Sequence, residues 1–278
     1  MSRTPALALL ALLVACAPPP PPKVGAYHGS DADLGVTRIA HGGVVVELGG
    51  HRFLIDPWLH AGLVVRHREP LGLSPATMPQ ASAVLITHEH GTHFDPRALG
   101  SLAAKVPRAV GPPTLSARLG SLGFGEVVTL DWWADTVIDG VRITAIPARH
   151  SVRENGYVLQ SDDVVIYAAG DTEATPAFAD VARVFGHVDV ALLPIGGWRR
   201  LGDRDEMDPE EAADAARVLG ARRVIPIGYG ATAPFPFVTT ARTPTTRFRA
   251  AAEAAGLAPE QIVVLEPGES WHYFADPR

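Results

Sequence analysis

Residues 87–95 read Thr-His-Glu-His-Gly-Thr-His-Phe-Asp, three imidazoles within one short polar segment. In extended chain, alternate side chains share a face, so His88 and His90 can converge on one ion while Glu89 points elsewhere. Neutral imidazoles suit zinc, at ~2.0–2.1 Å per bond. Zinc with an open position lowers the pKa of water from ~15.7 toward ~7 and polarises a carbonyl or phosphoryl oxygen. Ester, lactone, amide and phosphodiester hydrolysis are therefore all open. On spacing alone, the same histidines also fit a polar loop with no metal.

The flanking elements decide whether these rings can be held in place. The short apolar run 83–86 reads as a strand that ends at the histidines. Residues 96–105 then read as a helix, with Asp95 as its N-cap and Pro96 in its first position. Upstream, 36–40, 44–48 and 52–55 read as strands separated by Gly42-Gly43 and Gly49-Gly50 turns, followed by a Pro-rich loop over 57–79. Downstream, 127–130, 136–138, 141–146, 156–160 and 164–168 read as strands and 176–185 as a helix. The pattern continues with strand 188–193, helix 209–219, strand 223–227, helix 244–255 and a last strand over 261–265. Strands come early and helices late in each half, which suits two sheets face to face with helices outside.

Further motifs follow in order: Ile39-Ala40-His41-Gly42-Gly43, Leu54-Ile55-Asp56-Pro57-Trp58, Pro147-Ala148-Arg149-His150-Ser151, Ala169-Gly170-Asp171-Thr172, Leu193-Pro194-Ile195-Gly196-Gly197 and Met207-Asp208-Pro209-Glu210-Glu211-Ala212. With the histidine segment, they resemble the metallo-β-lactamase superfamily. The branch they are similar to contains N-acyl-phosphatidylethanolamine phospholipase D and the ascorbate phosphate lactonase. The resemblance implies an α/β fold, a four-layer αββα sandwich of two mixed sheets with outer helices.

Residue by residue, the resemblance implies that His88, His90 and His150 bind a first metal, that Asp171 bridges, and that His93 belongs to a second. Two expected ligands are missing: Thr92 stands where the family has aspartate, and Gly228 where it has histidine. His93 and Asp171 alone are too few for a tight zinc site, so one zinc ion is expected. Asp171, His93 and Tyr229 are the candidates for catalytic contacts, with Thr92 a further candidate hydrogen-bonding group. Asp56 either orients an imidazole or closes a strand-end turn. His28, His41, His51, His60, His67, His187 and His272 show no metal spacing. The implied function is hydrolysis at a single intact metal site, favouring a lactone or activated ester over an unactivated phosphodiester. The alternative is a scaffold that binds a ligand or partner without turnover, because fold does not dictate function.

The N-terminus carries a different message. Arg3 precedes an apolar run over 6–15, ~10 residues and too short to span a bilayer as a helix. Leu13-Val14-Ala15-Cys16 resembles the bacterial lipobox, so 1–15 reads as a signal peptide and Cys16 as a lipidation site. Residues 16–33 form a linker stiffened by Pro18 to Pro22, and 34–278 form one domain. Cys16 is the only cysteine of the 278 residues, which excludes an internal disulfide and any thiolate metal ligand. The expected location is the cell envelope, on the periplasmic face of the outer membrane in a cell that has one. Partners are then the membrane, through the lipid anchor, and a small-molecule or lipid-like substrate. Net charge is −6 with scattered basic residues, so nucleic acid is not an expected partner.

Overall fold

Alternating burial along the strands builds the molecule's layers. In the strand Gly43–Leu48, Val44, Val46 and Leu48 face one way and Val45 the other. In His51–Ile55, Phe53 and Ile55 share the first face and Leu54 the second. Strands apolar on both faces must be covered on both, and that is what the chain does. The computed structural model describes residues 27, 29–30, 32–232 and 235–273. The expected signal peptide, Cys16 and the proline run lie outside them.

One sheet has seven strands in the order Ser270–Tyr273, Leu34–Ala40, Gly43–Leu48, His51–Ile55, Ala83–Leu85, Arg108–Gly111 and Glu126–Thr129. The other has six, in the order Ala221–Ile227, Val188–Pro194, Val164–Ala168, Asn155–Ser161, Val141–Pro147 and Asp135–Ile138. Both mix parallel and antiparallel pairs. Three apolar clusters mark the layers. One lies between the sheets, from Val44, Phe53 and Leu85 to Ile143, Tyr157 and Leu192. A second packs the helix Pro96–Leu102 onto the seven-stranded sheet through Ala98, Leu99 and Leu102. The third packs Ala177–Phe185, Pro209–Leu219 and Pro244–Ala254 onto the six-stranded sheet through Phe178, Ala212, Ala216 and Phe248. Each fully buried Leu or Phe in these layers contributes ~1.5–3 kcal/mol of burial. The expected α/β sandwich is present.

The helix starts follow their caps. Asp95 accepts hydrogen bonds from the Arg97 and Ala98 amides at 3.1 and 2.9 Å, and Asp208 forms a reciprocal capping box with Glu211. Two expectations need correction. Residues 261–265 are not a strand: Pro259–Gln261 is a single 3₁₀ turn, and only Ile262 bridges to Val224. The last strand is instead Ser270–Tyr273, half-buried at a sheet edge against Leu34–Ala40. Arg108–Gly111 is a further strand, parallel to Ala83–Leu85, within the interior of its sheet. Among the described residues, no helix is long and apolar enough to cross a membrane.

Candidate metal centre

Chain segments leave the two sheets along one edge of the sandwich, and the titratable side chains collect there. Thr87 to His93 follow the strand Ala83–Leu85, His150 follows Val141–Pro147, and Asp171 follows Val164–Ala168. His41 sits in the turn between Leu34–Ala40 and Gly43–Leu48, and Asp56 comes directly after His51–Ile55.

His88, His90 and His150 form the first cluster, their ligand atoms all within 4.8 Å of one another. His88 Nδ1 lies 3.0 Å from the Glu154 carboxylate, and His150 Nδ1 lies 2.5 Å from the Asp205 carbonyl oxygen. An imidazole facing an acceptor keeps its proton on that nitrogen, which leaves the Nε2 lone pairs of both rings free. Both lone pairs point at His90 Nδ1, each at 3.0 Å. One proton on His90 can serve only one of these contacts, and the other is repulsive. A cation resolves the conflict, because tetrahedral ligation at ~2.0–2.1 Å puts ligand nitrogens ~3.3 Å apart. Burial first, then the neighbouring rings, drives His88 well below the ordinary histidine range; burial and His150 bring His90 down to about 4. Both are held in the neutral form that binds metal.

His93 anchors the second cluster, fully buried between two carboxylates. Its Nδ1 lies 2.8 Å from Asp56 and its Nε2 2.9 Å from Asp171. Burial alone would lower its pKa, but the charges of Asp171 and Asp56 hold it well above the ordinary range. Burial would likewise raise Asp171, and the His93 charge holds it well below. Asp56 also accepts from the Thr87 amide and hydroxyl at 2.9 and 2.7 Å, so it both closes the strand end and orients a ring. His41, assigned no metal spacing from sequence, joins this cluster: ligand atoms of His41, His93 and Asp171 all lie within 4.8 Å of one another. His41 Nδ1 and Asp171 Oδ1 are buried without a hydrogen-bond partner of good geometry. Each such group costs ~1–3 kcal/mol, a deficit that a bound cation removes.

A model of the beta-lactamase superfamily domain matches residues 51–229. The chain belongs to the metallo-β-lactamase superfamily. It is similar to a metal-dependent hydrolase of Thermococcus kodakarensis, 31% identical over 244 residues that cover 83% of this chain and 96% of that one. Igni18, a metallo hydrolase of Ignicoccus hospitalis, superposes with a TM-score of 0.68 at 26% identity, over 87% of this chain and 99% of that one. An isothiocyanate hydrolase from Delia radicum gut bacteria shares the fold, with a TM-score of 0.71 at 20% identity over 87% of this chain and 100% of that one.

Against the superfamily pattern, Tyr229 needs correction. Its hydroxyl donates to the Leu265 carbonyl at 3.3 Å, and the Arg38 guanidinium lies over its ring at 4.0 Å, so the phenol is packed away from the histidines. Thr92 is half-buried on the wall of a cleft of about 410 Å³ that also exposes His90, His150 and Asp171. At the other gap, Gly228 has φ +75°, and a Cβ there would stand 3.1 Å from Pro194 Cβ and 3.4 Å from a Glu206 carboxylate oxygen. A carboxylate from another chain segment thus lies beside the position where the resemblance places a histidine. Glu206 is buried with both oxygens lacking partners of good geometry. Burial first, then the Asp171 charge, pushes it well above the ordinary carboxylate range. Glu154, His41 and Glu206 escaped the sequence reading; only His41 left a trace, a histidine in a hairpin turn where Asn, Asp or Gly is usual.

Proposed function

We propose that the chain is a metal-dependent hydrolase whose zinc is held by His88, His90 and His150, with Asp171 beside it, and whose substrate is a lipid-like ester or lactone. The observation that carries this reading is the convergence of three imidazole nitrogens at 3.0 Å spacing with their outer nitrogens already committed to Glu154 and the Asp205 carbonyl. The relatives named as metal-dependent hydrolases support it. A divalent cation bound there supplies an activated water and polarises the carbonyl of an ester. The chain's own groups do the rest. Asp171, lining the cleft with Oδ1 lacking a partner of good geometry, is placed to accept a hydrogen bond from that water and orient it. Glu154 and the Asp205 carbonyl keep two rings from turning as charge develops.

The cleft walls speak for the substrate class. Trp58, Trp198 and Val65 line it, and Leu63 and Val64 stand at its mouth, 92% and 64% exposed. Such a rim binds an acyl chain, while Arg200 on the same wall can hold an anionic group. A lipid anchor on Cys16 would keep this mouth near a membrane, on the periplasmic face of an outer membrane. An amphipathic substrate would also suit the sequence motifs' resemblance to the phospholipase and lactonase branch.

The test is metal content and turnover of the mature chain, purified without chelator or histidine tag. At least one zinc equivalent is expected, with hydrolysis of long-chain aryl esters or lactones faster than of acetyl esters. His90→Ala should lower turnover by ~10³-fold or more, since the cation provides both nucleophile and electrophile. A folded protein that takes up no metal sinks the reading. Metal without turnover on esters, lactones, amides and phosphodiesters turns it into the non-catalytic scaffold.

A further inference from the structure

The geometry points to a second divalent-cation site built from His41, His93 and Asp171, in which an N-terminal hairpin histidine replaces the ligands lost at Thr92 and Gly228. The inference deepens the hydrolase reading, since the site adjoins the first cluster: the His88 and His93 ring centroids are 4.2 Å apart. Four observations carry it. All three side chains are buried, at 1%, 0% and 7% exposure, and offer ligand atoms within 4.8 Å of one another. Two of their atoms, His41 Nδ1 and Asp171 Oδ1, lack hydrogen-bond partners of good geometry. Apolar surroundings do not explain burying such atoms; a ligand does.

The backbone at His41 is the third observation. Its φ is +51°, in the left-handed region that a side chain like histidine adopts at a cost, and a register shift lies between Arg38 and Ala40 just before it. A bulge of this kind re-aims the side chains after it. The ring is then wedged edge-on between Trp58, Trp198 and His93, with centroids 5.5, 5.7 and 5.5 Å away. The fourth observation is a spare oxygen donor. Glu206, 2% exposed with both oxygens lacking hydrogen-bond partners of good geometry, places Oε1 within 3.4 Å of where a Gly228 Cβ would stand. Two imidazoles and neighbouring carboxylates suit a borderline or hard divalent ion such as zinc, manganese or iron.

The experiment is titration of the metal-stripped mature chain with Zn(II) by calorimetry, with bound metal counted by elemental analysis and Co(II) absorption recorded in parallel. Wild type should take up two equivalents. His41→Asn, chosen because asparagine tolerates the left-handed backbone, should take up one and lose the second Co(II) band. His90→Ala should lose the other equivalent. Two equivalents in folded His41→Asn overturns the inference. So does a single wild-type equivalent removed by His90→Ala, which leaves the hydrolase reading standing; no uptake at all defeats both. Should His41→Asn not fold, imidazole ¹⁵N spectra of wild type decide: the second equivalent must shift the His41 ring nitrogens, and an unmoved His41 overturns the site.

Discussion

The two histidine clusters meet at one edge of the same sandwich, yet they are assembled differently. His88 and His90 come from a single stretch following one strand, and His150 joins from the opposite sheet with its outer nitrogen on a backbone carbonyl. Its His88 and His90 rings are held neutral and crowd nitrogen to nitrogen. His41, His93 and Asp171 come from three distant segments, with the central imidazole already engaged by two carboxylates. The first cluster is a set of ligands waiting for a cation, whereas the second is an ion pair that a cation must displace. Adjacent sites on one scaffold can therefore differ in what binding has to undo.

The largest effect that bears on this contrast concerns the support under the first cluster. Gly170 has φ +71°, and a Cβ there would lie 2.3 Å from the Glu154 oxygen that also meets the His88 ring and the Asp171 amide. Gly170→Ala should destabilise the metal-free protein by about 2–3 kcal/mol in urea unfolding, through strain and displacement of Glu154. Stability within 0.5 kcal/mol of wild type, on the order of surface-substitution effects, would mean that Glu154 is not held as described.

Removing one outer carboxylate at a time sharpens the comparison. Glu154→Gln should weaken the first zinc step by about 10–100-fold in calorimetry and leave the second nearly unchanged; Asp56→Asn should do the reverse. Equal losses at both steps would show that the clusters act as one site.

Acid should separate them next. His93 is held protonated above the ordinary histidine range, so a cation entering beside it must release that proton. Zinc affinity at the second step should fall about tenfold per pH unit between pH 7 and 5, where the proton wins progressively. His88 and His90 are held below their ordinary values, His90 at about 4, so neither ring adds proton competition over that window and the first step should fall less steeply than the second. Parallel slopes in titrations at several pH values would erase the distinction. The smallest effect is expected at Tyr229→Phe, which loses only the bond to the Leu265 carbonyl. Stability should fall by about 0.5–1.5 kcal/mol, with turnover within about twofold of wild type.

Much of the fold was legible because buried strands read as apolar runs between turn residues: 164–168 and 209–219 match the observed elements in full. The failures have physical causes. Ser270–Tyr273 is a half-buried edge strand with mixed polarity, so it carries no apolar signature. Residues 261–265 are apolar because Ile262 and Leu265 pack into cores from an irregular segment, so burial without pairing imitated a strand. At the site, the ligands readable from sequence were those within recognised motifs. His41 was in plain view as well, but its role depends on a bulge and a positive φ, neither of which leaves a spacing. Tyr229 failed for the opposite reason, since adjacency to the lost histidine says nothing about which way a phenol points.

Asp95 does more than start a helix. One of its oxygens takes the Arg97 and Ala98 amides, while the other takes the amides of Leu59 and His60 at 3.1 and 2.8 Å. A single carboxylate thus latches the loop beside the cleft to the first turn of a helix. If that latch slips, the two segments should exchange their amide hydrogens together, and the entrance would breathe in step with helix fraying.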